Sequence, residues 1–169
     1  LLSCGGGRRT SNSNEVQEVE QSIKRNSIYH WKTTFELDSV ECNFLQRHDI
    51  ERIYTKLFDV ATEHNFLNGT EDLVPIATTK FVSAVPEGVE IIPVVYITIE
   101  ALRAMKGRES EFATLIVERS VAMCNYNRLG EIRELQLDCD WTSKTKDIYC
   151  NLCKLVKNKL QAKQMQLSI

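Results

Sequence analysis

Four runs rich in β-branched and apolar residues begin near positions 28, 52, 91 and 133, and stretches with helical periodicity lie between them. This alternation constrains the fold more than any other feature. A strand followed by a helix and another strand builds a parallel sheet through right-handed crossovers. Two architectures meet that requirement. One is the first half of a (β/α)8 barrel, four βα units cut at strand five. The other is a five-stranded doubly wound sheet. The strand starts leave units close to the ~31 residues that eight units in ~250 residues allow, with insertions.

The individual elements follow from local signals. Residues 27–35 (Ser-Ile-Tyr-His-Trp-Lys-Thr-Thr-Phe) read as the first strand. Asp38 or Ser39 caps a helix carrying Val40, Phe44 and Leu45 to about His48. Residues 50–60 form a second strand, 61–89 an irregular stretch with a short strand near 78–83, and 90–98 a third strand. A helix spans about 109–127 and breaks at Gly130; a fourth strand covers 132–140. Ser143 or Thr145 opens a last helix to about Ala162, and 165–169 starts a fifth strand.

Side-chain parity favours the half barrel. Central strands of an open doubly wound sheet are buried on both faces and read as unbroken apolar runs. The fourth strand instead alternates: Leu135, Leu137, Cys139 and Trp141 share one face, and Gln136, Asp138, Asp140 and Thr142 the other. Lys32 and Lys56 put charges into the first two strands, as a polar barrel lumen permits. No Gly-rich phosphate loop follows the first strand, where the chain reads Phe35-Glu36-Leu37-Asp38-Ser39.

The N-terminus carries a different signal. Leu1-Leu2-Ser3-Cys4 has the form of a bacterial lipobox, in which Cys4 becomes the lipidated first residue of the mature protein. Residues 5–20 are almost wholly Gly, Ser, Asn, Arg, Gln and Glu, a polar tether. The expected organisation is therefore 1–3 as the end of a signal peptide, 4–26 as lipidated cysteine and tether, and 27–169 as the partial barrel. The expected location is the bacterial cell envelope, on a membrane through the Cys4 lipid.

Nothing else points to a membrane or to nucleic acid. No run of about 18 apolar residues occurs. With 21 basic and 23 acidic residues and a net charge of -2, the chain lacks a basic footprint. Cys42, Cys124, Cys139, Cys150 and Cys153 are an odd set for a disulfide framework. Cys150 and Cys153 have C-x-x-C spacing but sit within a helix without a second Cys/His pair. They read as small buried apolar residues, so neither a metal nor a cofactor is expected.

Candidate chemistry lies where a parallel barrel presents it, at the C-terminal strand ends. Asp138 and Asp140, two apart, point the same way; neighbouring carboxylates raise the pKa of one, as a general acid requires. Glycoside hydrolysis needs such an acid, a second carboxylate and an aromatic platform for the sugar ring. Asp140, nearer the rim, is the expected acid with Asp138 as its partner, and Glu100 or Asp59 is the second carboxylate. Trp31, Lys32, Lys56 and Trp141 are the candidate ligand-binding residues. The competing assignment is structural: Asp138 pairs with Lys56 or Lys32 inside the lumen, and Trp31 belongs to the core.

Four blocks carry a family resemblance: Tyr29-His30-Trp31-Lys32-Thr33-Thr34-Phe35, Leu57-Phe58-Asp59-Val60, the run 92–98, and Glu134-Leu135-Gln136-Leu137-Asp138-Cys139-Asp140-Trp141-Thr142. Across residues 27–169 the chain resembles a family of uncharacterised lipoproteins from Bacteroides-type bacteria with a glycoside-hydrolase-like barrel. The resemblance implies a barrel that continues past residue 169, so that this chain corresponds to its N-terminal half. Where the family suggests an Arg in the second strand, this chain has Lys56, without bidentate carboxylate pairing. The expected function is an envelope lipoprotein that hydrolyses glycosidic bonds or, alternatively, binds a glycan or another envelope component without turnover.

Overall fold

The computed structural model describes residues 25–67 and 69–169. Its elements run in chain order as β1 (Asn26–His30), β2 (Thr34–Phe35), α1 (Ser39–Arg47), β3 (Ile50–Asn65), β4 (Thr70–Ile76), β5 (Lys80–Phe81), β6 (Glu90–Ile97), α2 (Ile99–Ala104), α3 (Glu109–Tyr126), β7 (Glu134–Asp138), α4 (Lys146–Gln161) and β8 (Gln166–Ser168). This is an α/β protein with a mostly parallel sheet. The strands β1, β3, β6, β7 and β8 are neighbours in that order, each pair parallel. Spatial order repeats chain order, without the reversal that marks a doubly wound sheet. The sheet is open, with β1 and β8 at its two ends.

Local chemistry explains the helix ends. Asp38 accepts from the Glu41 backbone N–H at 2.7 Å, and Glu41 accepts in return from the Asp38 N–H at 3.1 Å. This reciprocal cap satisfies two donors that would otherwise lack partners. At the far ends of α3 and α4, Leu129 N–H donates to Cys124 O at 3.1 Å and Met165 N–H to Leu160 O at 2.9 Å. Each closure needs a left-handed residue one step earlier, and Arg128 (φ 54°) and Gln164 (φ 58°) supply it without being glycine. Leu129 and Met165 are then carried into the core.

Several elements depart from the sequence expectation. The first strand ends at His30, and Thr34–Phe35 pairs separately with Lys80–Phe81. The second strand does not stop at Val60. It continues to Asn65 and turns back antiparallel as β4, from Asp59 opposite Ile76 to Asn65 opposite Thr70. Pro75 fits in β4 because that strand pairs on one side only. A short extra helix, α2, begins at Ile99, capped by the Thr98 side chain accepting from Ala101 N–H. The fourth strand stops at Asp138, so Asp140 and Trp141 follow it instead of belonging to it.

The helices pack on one face of the sheet. Ile53, Phe58 and Val60 of β3, Ile91, Val95 and Ile97 of β6, and Leu135 and Leu137 of β7 are buried there with Leu45, Leu102, Phe112, Ile116, Val117, Leu152, Val156 and Leu160 of the helices. Each such side chain contributes about 1.5–3 kcal/mol of hydrophobic stabilisation. The alternate positions of β3, β6 and β7 form the opposite, polar face.

One irregularity shapes that face. Lys56 is opposite Val94 and Phe58 opposite Val95, so Leu57 is an extra residue in β3. This β-bulge lets the adjacent Leu57 and Phe58 both enter the core. Thr79, itself buried, satisfies the carbonyls at the kink: its hydroxyl donates to Lys56 O at 2.5 Å and its N–H to Leu57 O at 2.7 Å.

Candidate ligand-binding face

Strand register sorts the polar face into rows. Tyr29 lies beside Tyr54, and Tyr54 beside Ile92. Further along the strands, Lys56, Val94, Gln136 and Ser168 form a second row. Toward the C-terminal ends of β6 and β7, Asp59 of β3, Tyr96 and Asp138 form a third. The central strand supplies an apolar floor. Ile92 and Val94 are both 0% exposed although no helix covers them. The long polar side chains of the flanking strands close over them, burying hydrocarbon beneath a charged and hydrogen-bonded layer.

The N-terminal half of the face is an ion-pair network. Arg52 donates to Glu90 at 3.0 Å and to Glu134 at 3.5 Å, and Tyr54 donates to Glu134 at 3.4 Å. Burial works against the Arg52 charge, but Glu90 and Glu134 outweigh it and raise its pKa. The Tyr54 phenol is also raised, by burial first and then by the Glu134 charge. Gln136 Nε2 donates to Tyr29 Oη at 3.0 Å. Those residues lie three strands apart, about 14 Å in a flat sheet at the usual spacing. Their contact requires the side chains to converge, as on the hollow side of a curled sheet.

The C-terminal half holds the candidate acid chemistry. Lys56 Nζ stands 2.9 Å from Asp59 Oδ1 and donates to Oδ2 at 3.1 Å. Tyr96 Oη donates to Asp140 at 3.3 Å, and burial followed by the Asp140 charge raises the Tyr96 pKa. Asp138 is raised as well, by burial first and Asp140 second. The sequence expectation gave the acid role to Asp140 and the partner role to Asp138; Asp138 is a carboxyl that burial pushes up.

The other sequence candidates are placed as follows. Trp31, 44% exposed, stacks on Tyr29 with centroids 5.7 Å apart and planes 6° from parallel, so it stands on the surface and not in the core. Trp141 is 49% exposed beyond the end of β7, free of the helix-facing parity that strand continuation would impose. Asp59 and Asp138 are brought into one row. The structure does not bring Glu100 to them: it lies in the first turn of α2, with its side chain 66% exposed and 3.9 Å from Arg103. Lys32 projects outward, 3.8 Å from Glu41. The partner of Lys56 is Asp59, and not Asp138.

Tyr29, Arg52, Tyr54, Glu90, Tyr96 and Glu134 were missed as members of this face, whereas Gln136 was placed on it by the parity of the fourth strand. Strand alternation carried the signal: extending the parity of the fourth strand to its neighbours finds most of them. The second strand has its Arg at position 52, one row below Tyr54.

The cysteines need one correction. Cys153 is partly buried against the core and Cys150 faces solvent, so neither of the C-x-x-C pair is fully buried. Burial pushes the Cys124 thiol up to about 12. Among the described residues, no three His, Cys, Asp or Glu side chains are placed to hold a metal ion, and no helix is long and apolar enough to cross a membrane. Cys4 and the proposed tether lie outside the described residues apart from Arg25 and Asn26. Compared with protein-family models, curated proteins and solved structures, the chain finds no match.

Proposed function

We propose that the chain is the first half of a (β/α)8-type barrel whose polar face binds carbohydrate and hydrolyses glycosidic bonds, carried on the cell envelope by lipidated Cys4. The observation that carries this reading is the row Asp59, Tyr96 and Asp138, at the C-terminal ends of β6 and β7 and where the parallel pairing of β3 with β6 ends. In barrels of this kind reacting groups sit at that end. Asp59 and Asp138 are two strands apart, or roughly 10 Å between Cα atoms at the usual spacing. A pair acting on opposite sides of a sugar ring with water between them needs its carboxyl groups about 6.5–9.5 Å apart, and side chains converging on one face from that Cα spacing are compatible with it.

In this reading Asp138, protonated to higher pH than an ordinary carboxyl, is the acid that protonates the leaving oxygen. Asp59, held by Lys56, is the carboxylate that activates water. Asp140 raises the Asp138 pKa and is itself fixed by Tyr96. The exposed Trp31 offers a ring face for sugar C–H groups. Resemblance to the lipoprotein family and the Leu1–Cys4 lipobox support the envelope location.

A second reading has its own support. Asp59 is neutralised by Lys56, and Asp140 is engaged by Tyr96. Carboxylates already paired suit a glycan-binding face without turnover. A glycan array and a hydrolysis screen on the full-length gene product, beside Asp138→Asn and Asp59→Asn, separate the two. Turnover abolished by both variants supports the enzyme. Binding without turnover, lost in the variants, supports the binding module. No glycan response in any form defeats both. For the anchor, Cys4→Ala should move the protein from the membrane to the soluble fraction, and unchanged membrane association would refute lipidation.

A further inference from the structure

Behind the polar face, at the level of Asp59, the molecule leaves an apolar space unfilled. Phe58 and Val60 flank Asp59 in β3 and point the other way, into the core. From Asp59 onward one edge of β3 takes up β4, while the other ends its pairing with β6 at Val60. α3 makes its main contacts with α4 and β6, and between it and the β3–β4 hairpin lies a pocket of about 80 Å³. Its walls are Phe58 and Val60 of β3, Leu73 and Pro75 of β4, and Phe112 and Ile116 of α3. Apolar walls with nothing between them forgo the dispersion contacts that a filled core makes. A cavity of about 150 Å³ holds a benzene ring, so this one takes a smaller group, such as the isobutyl end of a branched acid.

One wall residue is charged. Arg119, one helical turn beyond Leu115, lines the pocket and reaches solvent. Two contacts hold its guanidinium. It lies over the Phe58 ring, 5.0 Å from the centroid, and one nitrogen donates to Thr78 Oγ1 at 3.4 Å. Arg25, Arg52, Arg103, Arg108 and Arg133 each have a carboxylate partner; Arg119 has none among the described residues. Two acidic residues next in sequence to the walls are engaged elsewhere. Glu111 holds Arg108 at 2.8 Å, and Asp72 accepts from Asn65 at 2.8 Å. A guanidinium offers five N–H donors in a planar fork that matches a carboxylate. Most of the Arg119 fork meets no acceptor among the described residues.

We propose that this pocket binds a small carboxylic acid as its anion. A short branched alkyl tail fills the space between β4 and α3, and Arg119 takes the carboxylate by paired N–H donation. Both halves of the recognition are needed. The tail alone forgoes the charge-assisted hydrogen bonds, and a carboxylate alone meets an exposed guanidinium that water already solvates. The same chemistry is presented by a free branched acid and by the C-terminal leucine of a peptide. The site lies on the opposite side of β3 from Asp59 and rests on no reading of the polar face.

Titration of the full chain with 4-methylpentanoate, followed by NMR, tests it. Methyl signals of the wall residues Val60, Leu73 and Ile116 are expected to shift and saturate with a Kd of about 1 mM. 4-Methylpentanamide keeps the tail without the charge, and acetate keeps the charge without the tail; each should bind roughly tenfold or more weakly. Arg119→Gln should weaken 4-methylpentanoate by a similar factor. Leu115→Trp, at a 50% exposed position lining the pocket, should block it. Both positions are open to solvent, so thermal unfolding of each variant should stay close to wild type. Tighter binding of N-acetyl-leucine than of 4-methylpentanoate assigns the carboxylate to a chain end, and weaker binding assigns it to a free acid. Methyl signals that do not saturate overturn the proposal. So does equal binding of the amide, or affinity that survives Arg119→Gln. The amide comparison uses the unaltered protein and therefore decides even where a variant does not fold.

Discussion

Lys56 Nζ lies 2.9 Å from Asp59 Oδ1, although the two residues are three apart on one strand. A regular strand turns such residues to opposite faces. Leu57, the extra residue in β3, restores them to the same side. The charge pair at the C-terminal end of the polar face is therefore a product of backbone irregularity and of Thr79, which ties down the carbonyls at the kink.

Thr79→Val keeps the shape of that side chain and removes its hydroxyl. The Lys56 carbonyl then loses its donor in a buried place, and the expected cost is about 1–3 kcal/mol. Urea unfolding measures it. Thr79→Ser, which keeps the hydroxyl, should recover most of the loss; equal losses for Val and Ser would place the effect in packing.

The Lys56 and Asp59 side chains are 13% and 15% exposed, so each needs the other. Lys56→Met or Asp59→Asn alone is expected to destabilise by about 3 kcal/mol, because one charge remains without its partner. The double variant Lys56→Met/Asp59→Asn should be less destabilised than the sum of the two. A double-mutant cycle by denaturant titration reads the coupling, and strict additivity would show the two charges to be independent.

Asp138 gives a pH signature. Burial and then Asp140 raise its folded pKa above the unfolded value. The folded state therefore keeps a proton that the unfolded state has released. This contribution to stability is fully present below the unfolded value and is lost as pH rises from the ordinary carboxylate range through the folded value. Asp138→Asn removes that dependence. Its stability should lie within about 1 kcal/mol of wild type at acid pH and match or exceed it near neutrality. Unfolding midpoints of both proteins across the acid range test this, and parallel curves would exclude it.

Gln164 holds a left-handed backbone (φ 58°) at an exposed site that follows α4. Glycine adopts that conformation without strain, and Gln164→Gly is expected to raise stability by up to about 1 kcal/mol. Thermal unfolding should show an increased midpoint. A decrease would mean that the Gly cost in the unfolded chain outweighs the relief.

The sequence made the main elements legible where one signal dominated. Asp38 began α1, the 109–127 periodicity marked α3, and the alternation from Leu135 to Asp138 identified both faces of β7. Three features were hidden because their causes are not local. The Leu57 bulge is defined by register against β6, which sequence does not display. The β4 hairpin carried Pro75, which argues against a strand unless its edge position is known. Glu100 looked like a strand-end carboxylate, but the Thr98 cap starts a helix there and turns Glu100 outward. The third row of the polar face was half legible: Asp59 and Asp138 were named separately, and only pairing shows that Tyr96 lies between them.

Ile92 and Val94 bear no charge and make no side-chain hydrogen bond, yet they set how strongly the groups above them interact. Sealed hydrocarbon polarises far less than water, so the field of each charge fades more slowly across it. Arg52 at one end of the face and Asp138 at the other share that medium. A polar residue or trapped water at Val94 would raise the local dielectric response and soften many couplings at once. Two residues that never titrate thus form part of the medium through which the charges of the face act on one another.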